Sequence, residues 1–147
     1  MKTYEIFVPG DPVAQPRPRA VSMGGKARMY NPTTAKAWKK KIGLAVLAEL
    51  AGTPMFEGAL HVDCVFWMAR PKSHFGTGRN AGKLKSSAPK YCTKKPDLDN
   101  LVKAVFDSLT DHKVWKDDSY VIGSYTGKRW SDNHETGVYI TIGVTEG

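Results

Sequence analysis

The side chains best placed to do chemistry gather in one stretch, Lys94-Lys95-Pro96-Asp97-Leu98-Asp99-Asn100-Leu101-Val102-Lys103. Asp97 and Asp99 are two residues apart. At that spacing side chains point the same way on an extended segment, but stand about 200° apart inside an α-helix. A metal shared by the two therefore needs the pair where a helix begins. The pattern puts them there, because Leu98, Leu101, Val102, Val105 and Leu109 recur at helical spacing over about 98–110. Lys95 precedes a proline, which pushes it towards extended backbone. Lys103 lies one turn beyond Asp99 on the same helix face. Asp117 and Asp118 come later, just before a strand pattern.

Magnesium takes hard oxygen ligands, usually one or two carboxylates with water and phosphate oxygens. Two or three aspartates in one cleft meet that need. Such an ion generates hydroxide and stabilises charge on a pentavalent phosphate. A nearby ammonium holds a phosphate oxygen, steadies the leaving group or orients the attacking water. The same residues have a plainer reading. Asp97 or Asp99 could be a helix N-cap, and Asp99 with Lys103 an ordinary i,i+4 surface pair.

Charge weighs on that choice. The 147 residues carry 22 Lys and Arg against 14 Asp and Glu, a net +8. Arg17, Arg19, Lys26, Arg28, Lys36, Lys39, Lys40 and Lys41 fall in residues 12–48, which hold no acid. Arg70, Lys72, Arg79, Lys83, Lys85, Lys90, Lys94 and Lys95 fall in residues 70–95, again with no acid. From Pro96 onward nine acids face five bases. Bases that hold a polyanion beside acids that hold a cation are what a nuclease needs. Both basic blocks are rich in Gly, Pro and Ser, so they read partly as loops.

The elements that must position these residues follow from periodicity. Tyr4, Ile6 and Val8 alternate in a strand over 3–9. Asn31-Pro32 reads as a helix start. That helix should run to Leu50 with Trp38, Ile42, Val46 and Leu50 buried and Lys36 and Lys40 outside. Leu60, Val62, Cys64, Phe66 and Met68 share a face of a strand over 59–69. Residues 71–95 read as a long loop, which in a small domain is usually functional or disordered. Strands are expected at about 119–128 and 137–145, the latter with Val138, Ile140, Ile142 and Val144 on one face. The expectation is one α+β domain over 1–147, in the order β-α-β-α-β-β, with two helices on one mixed or antiparallel sheet.

The chemistry that is absent also narrows the reading. Cys64 and Cys92 form no CxxC motif, and no HxH or HExxH spacing suggests zinc. No apolar run approaches a membrane span, and Met1–Glu5 has no apolar leader pattern, so a cytoplasmic home is expected. There is no P-loop or dinucleotide fingerprint, hence no small-molecule cofactor. His74 and His134 fall in loops within reach of phosphate; His61 is on a strand and His112 follows a helix. Among Tyr30, Trp38, Phe75 and Tyr91, which lie in or beside the basic blocks, Trp38 reads as core and Phe75 as the better candidate to stack on an exposed base.

The run Asp97-Leu98-Asp99-Asn100-Leu101-x-Lys103-Ala104-x-x-Asp107-x-Leu109, then Trp115-x-Asp117-Asp118, resembles the RusA family of Holliday junction resolvases of phages and prophages. Lys128 in the following strand, Val8-Pro9-Gly10-Asp11-Pro12 and Arg17-Pro18-Arg19 extend the likeness. The resemblance implies a homodimeric, Mg²⁺-dependent (Mn²⁺ as substitute) endonuclease that nicks opposed strands of a four-way DNA junction, in recombination and repair. By the same resemblance Asp97, Asp99 and Asp118 are the metal-binding catalytic acids and Lys103 the catalytic lysine. Asp118 takes that role over Asp117 as the second position of the pair, and Asp107 reads as structural. The expected DNA contacts are Arg17, Arg19, Lys72, Lys83, Lys85, Lys94, Lys95 and Lys128. A Gly- and Lys-rich insert over 72–93 and Lys94-Lys95-Pro96 depart from the family pattern. Three other readings stand beside this one. They are a metal nuclease acting on flaps or linear DNA, an RNA-binding module, and a non-enzymatic architectural DNA-binding protein whose aspartates only cap helices.

Overall fold

The computed structural model describes residues 2–16, 22–23, 26–27, 32–133 and 135–145. The chain runs through β1 (Lys2–Pro9), a small ribbon of β2 (Ser22–Met23) and β3 (Lys26–Ala27), α1 (Pro32–Glu49), β4 (Leu60–Met68), α2 (Leu98–Asp111), β5 (Val121–Gly123), β6 (Thr126–Trp130) and β7 (Gly137–Val144). The expected α+β order is present, with the ribbon as an addition. The Asn31 cap of α1 lies outside the described residues.

β1 pairs antiparallel with β7, and β7 antiparallel with β4. β4 then pairs parallel with both β5 and β6, which share its free side. The sheet is therefore mixed. Alternation along its strands buries one face: Ile6 and Val8 from β1, Leu60, Val62, Cys64, Phe66 and Met68 from β4, and Val138, Ile140 and Ile142 from β7. Val144 is only half-buried at the sheet's end. Both helices complete this core. α1 supplies Trp38, Ile42 and Val46, with Leu50 just past its end and Lys36 and Lys40 exposed, and α2 supplies Leu101, Val105 and Leu109. Leu98 and Val102 lie at the margin, half-buried. Burying these side chains removes about 1.5–3 kcal/mol of exposure cost for each large aliphatic group.

One strand expected as continuous, 119–128, is split. Asp118–Tyr120 forms a tight 3₁₀ turn in front of it, and Ser124 and Tyr125 interrupt it. Side chains take over the ladder at the break. Ser124 Oγ donates to Val62 O at 2.5 Å, and the Tyr125 N–H donates to Asp63 Oδ1 at 2.9 Å. These bonds satisfy backbone groups that a regular strand would have paired with its neighbour, so periodicity alone could not reveal the gap.

The helices approach closely at a glycine. A Cβ on Gly43 of α1 would fall on the His112 imidazole, whose Nδ1 is held 2.8 Å from Ser108 O. Ser108 Oγ also donates to Lys39 O and ties α2 to α1. Helix propensity alone favours Ala over Gly by about 1 kcal/mol, but steric overlap at a packed contact costs about 1–3 kcal/mol. Gly43→Ala should therefore lower the urea midpoint; a rise would show that the two helices are free to part.

Candidate active site

α2 begins where the sequence places its acids. Asp97 holds the N-cap position in extended backbone, φ −70° and ψ 142°, yet its side chain makes no capping hydrogen bond. Capping normally engages such a carboxylate with the N–H groups of the first turn. Here the carboxylate instead meets the Lys95 ammonium, with Nζ 3.1 Å from Oδ1. The plain N-cap reading therefore fails for Asp97. Asp99 sits in the first turn of α2, and its Oδ1 accepts from the Asn100 N–H at 2.9 Å. Both acids stand at the start of α2, where the helix dipole presents its positive end to an anion or a ligand's negative charge.

Lys103 is 3.7 Å from Asp107, one turn onward. With the lysine side chain 60% exposed, such an i,i+4 pair adds only about 0.3–0.5 kcal/mol, so it leaves the ammonium easily drawn to a phosphate.

Asp118 stands beside α2 farther along, near Phe106. Trp115 is fully buried, donates from Nε1 to Thr110 Oγ1 at 2.7 Å, and packs edge-on against Phe106 of α2 at 5.7 Å. This anchor brings the following turn against α2. Asp117 Oδ1 accepts from the Ser119 N–H at 2.8 Å. That backbone bond, helped by the Ser119 and Asp118 side chains, holds the Asp117 carboxyl below its usual range. Asp117 thus closes its own turn. Asp118 opens on a shallow cleft shared with Phe106, Val121 and Ser124. Asp99, Lys103 and Phe106 recur at i, i+4 and i+7, so Asp118 borders the face that carries Asp99 and Lys103. Phe106 is nevertheless two turns from Asp99, about 10 Å along the axis.

That spacing bears on a metal. Among the described residues, no three or more His, Cys, Asp or Glu side chains stand close enough to hold one ion. The donor chemistry still suits a hard cation, since Mg²⁺ commonly takes one or two carboxylates and completes its shell with water and phosphate. Asp97, uncapped, and its neighbour Asp99 fit that smaller share.

The basic residues divide between this helix start and the insert. Lys95 faces Asp97, Lys94 is exposed next to it, and Lys72, Lys83 and Lys85 are exposed on the insert. Arg17 and Arg19, with His134 and Tyr30, lie outside the described residues. The segment leading to the two arginines is tied down by the Gln15 N–H, which donates to Asn100 O at 3.0 Å. Lys128 behaves differently from a free phosphate contact. Its Nζ donates to Lys94 O at 2.5 Å and to Pro96 O at 2.9 Å, clamping the segment that delivers Asp97.

The insert is ordered by its own bonds. Lys85 N–H donates to His74 O and Gly76 N–H to Lys83 O, both at 2.9 Å, folding 74–85 back on itself. His74, expected as a phosphate contact, is buried instead, T-shaped on Trp130 at 5.1 Å. Phe75 is half-buried beside Leu84 rather than projecting for a base to stack on, and Tyr91 is the exposed ring. Arg70, which sequence reasoning left among many bases, is a buried hub. Its guanidinium donates to Pro89 O at 2.8 Å, lies 3.3 Å from His74 Nδ1 and stacks over Trp130. No local pattern marks these long-range contacts. Trp115, within the recognised motif, was the one available signal for the anchor under Asp118.

Burial, with Arg70, Lys94 and Lys85 nearby, pushes the His74 pKa down. The folded chain therefore holds it neutral while the unfolded chain binds a proton near pH 6.5. Stability from this group is complete above that value and is lost as pH falls towards the lowered folded pKa. The melting temperature should drop between pH 7.5 and 5.5, and His74→Phe, which keeps the ring contact, should flatten that drop. An equal drop in the variant would place the titration elsewhere.

Comparison with known proteins gives two findings. Residues 9–143 match the family model described as Endodeoxyribonuclease RusA. The chain is also 34% identical over 143 residues to the uncharacterized protein YqaN of Bacillus subtilis (strain 168), covering 95% of this chain and 96% of that protein.

Proposed function

The chain belongs to the RusA family of endodeoxyribonucleases, and we propose that it resolves four-way DNA junctions in the cytoplasm by paired, symmetric nicks. The observation that carries this reading is the start of α2, where Asp97 occupies the N-cap without capping and Asp99 follows in the first turn. A stability role would have engaged Asp97 with the backbone; leaving it on an exposed helix end, opposite a lysine, is what a phosphodiester site needs.

Asp97 and Asp99 would hold Mg²⁺ or Mn²⁺ between them, completed by water and phosphate oxygens, with Asp118 farther along the same helix. That ion, when bound, supplies a water of lowered pKa and neutralises charge on the phosphate. The chain's own groups do the rest. Lys103 donates to a phosphate oxygen as negative charge grows there. Lys95, already beside Asp97, steadies the adjacent backbone phosphate. Lys128 keeps the Lys94–Pro96 segment in place, so that Asp97 presents its carboxylate in a fixed direction. The exposed lysines of the insert, with Arg17 and Arg19, track phosphates, and binding should weaken steeply with salt. A four-way junction has approximate two-fold symmetry, and one active site nicks one strand. Two copies related by a two-fold axis supply the paired cut.

Asp97→Asn should abolish junction cleavage in Mg²⁺, a loss of at least about 10³-fold given the usual worth of such electrostatic groups. It should bind the uncut junction as well as the wild type or better, since a negative charge beside DNA is removed. Cleavage by Asp97→Asn at the wild-type rate, or equal cutting of linear duplex and junction by the wild type, would contradict the proposal. The architectural reading predicts no cutting with any divalent ion.

A further inference from the structure

Among the described residues β6 pairs with β4 alone, which leaves its other side a free edge of the sheet. The 84–92 segment runs beside that edge and leaves a groove of about 1010 Å³ between them. Two tyrosines line it and are unusually open: Tyr91 is 71% exposed and Tyr125 is 55% exposed. Cations accompany both rings. Lys90 Nζ lies 5.5 Å from the Tyr91 centroid, and Arg129 donates to Tyr125 Oη at 3.1 Å while stacking over Trp67.

Five cationic residues, Arg70, Lys85, Lys90, Lys128 and Arg129, line the groove against one carboxylate, Asp132. The Arg70 side chain is only 6% exposed, and its one carboxylate partner, Asp132, is 3.8 Å away and 82% exposed. Arg70 Nε and Trp130 Nε1, both buried in residues lining the groove, have no hydrogen-bond partner. The guanidinium is bonded to Pro89 O and stacked on Trp130, but its Nε is unpaired and its charge is balanced only by an exposed carboxylate, which favours an anion beside it. Exposed rings set among cations are the makings of a stacking platform for single-stranded nucleic acid. The volume is close to that of a small-ligand pocket, about 300–1,000 Å³, room for a few unpaired nucleotides.

We propose that this groove seats unpaired DNA bases exposed at a branch point, with Tyr91 and Tyr125 stacking on them and the surrounding cations holding their phosphates. Lys128 lines the groove and bonds the Lys94 and Pro96 carbonyls, so a strand leaving the groove arrives at the start of α2. The groove thereby favours branched over linear DNA. The proposal rests on the nuclease reading above only for the identity of the branched substrate.

The test uses the full chain in EDTA, where no cutting occurs, with fluorescein-labelled oligo-dT and a duplex of equal length. A probe of about ten nucleotides suits such a site, and each stacking tyrosine is expected to contribute about tenfold. The wild type should bind oligo-dT more tightly than the duplex. Tyr91→Ala and Tyr125→Ala should each weaken oligo-dT binding by about tenfold and shift duplex binding by less than about twofold, while Tyr91→Phe and Tyr125→Phe keep the wild-type ratio. Circular dichroism checks that the variants fold. Unchanged oligo-dT binding in both alanine variants, or parallel loss on both probes, overturns the groove. A wild type that cuts no junction while these ratios hold removes the junction reading and leaves the groove standing. A wild type that cuts junctions while the ratios fail removes the groove alone.

Discussion

The proposed site depends on one buttress, the Lys128 ammonium bonded to the carbonyls of Lys94 and Pro96. It joins an edge strand to the segment that ends in Asp97. Everything around it follows from that join. β6 is held in register by five paired residues of β4, from Cys64↔Thr126 to Met68↔Trp130, so the lysine has a fixed base. The strap it holds leads straight into α2, whose apolar face is locked into the core by Leu101, Val105 and Leu109. A rigid strand and a rigid helix thus fix the few residues between them, and a site on such supports holds its geometry better than one on a free loop.

The second support is aromatic. Trp115, under Phe106, brings the Asp117–Asp118 turn against α2, and Asp117 then spends its carboxylate on that turn. The division of labour between adjacent aspartates is local electrostatics: bonds from Ser119 lower one carboxyl and leave the other to face the cleft. The basic insert is a third unit, closed on itself and pinned through His74 and Arg70 to Trp130. Its lysines stay exposed because its backbone is satisfied internally.

Much of this was legible in the sequence, and the limits have a physical cause. Period-two burial on β4 and the stripe Trp38, Ile42 and Val46 on α1, continued by Leu50, were readable because each depends only on which residues face one core. The placing of Asp97 at the α2 N-cap was readable for the same reason. What escaped depends on contacts distant in sequence. The break at Ser124 and Tyr125 rests on bonds to Val62 and Asp63, 62 positions away. Lys128 looked like one more base until its partners, 32 and 34 positions away, were visible. His74 read as a loop residue because nothing nearby in sequence announces Trp130.

The most direct test of this account is the single-turnover cleavage rate of Lys128→Met, which keeps the stem and removes the ammonium. It should be measured with protein saturating over a labelled four-way junction, so that affinity does not enter the rate. A misplacement of about 1 Å at a reacting group can cost about 10²-fold. The account predicts a loss of that order, with the melting temperature and junction affinity changed far less. A rate within about twofold of the wild type, against that expectation, would mean that Asp97 is positioned without Lys128.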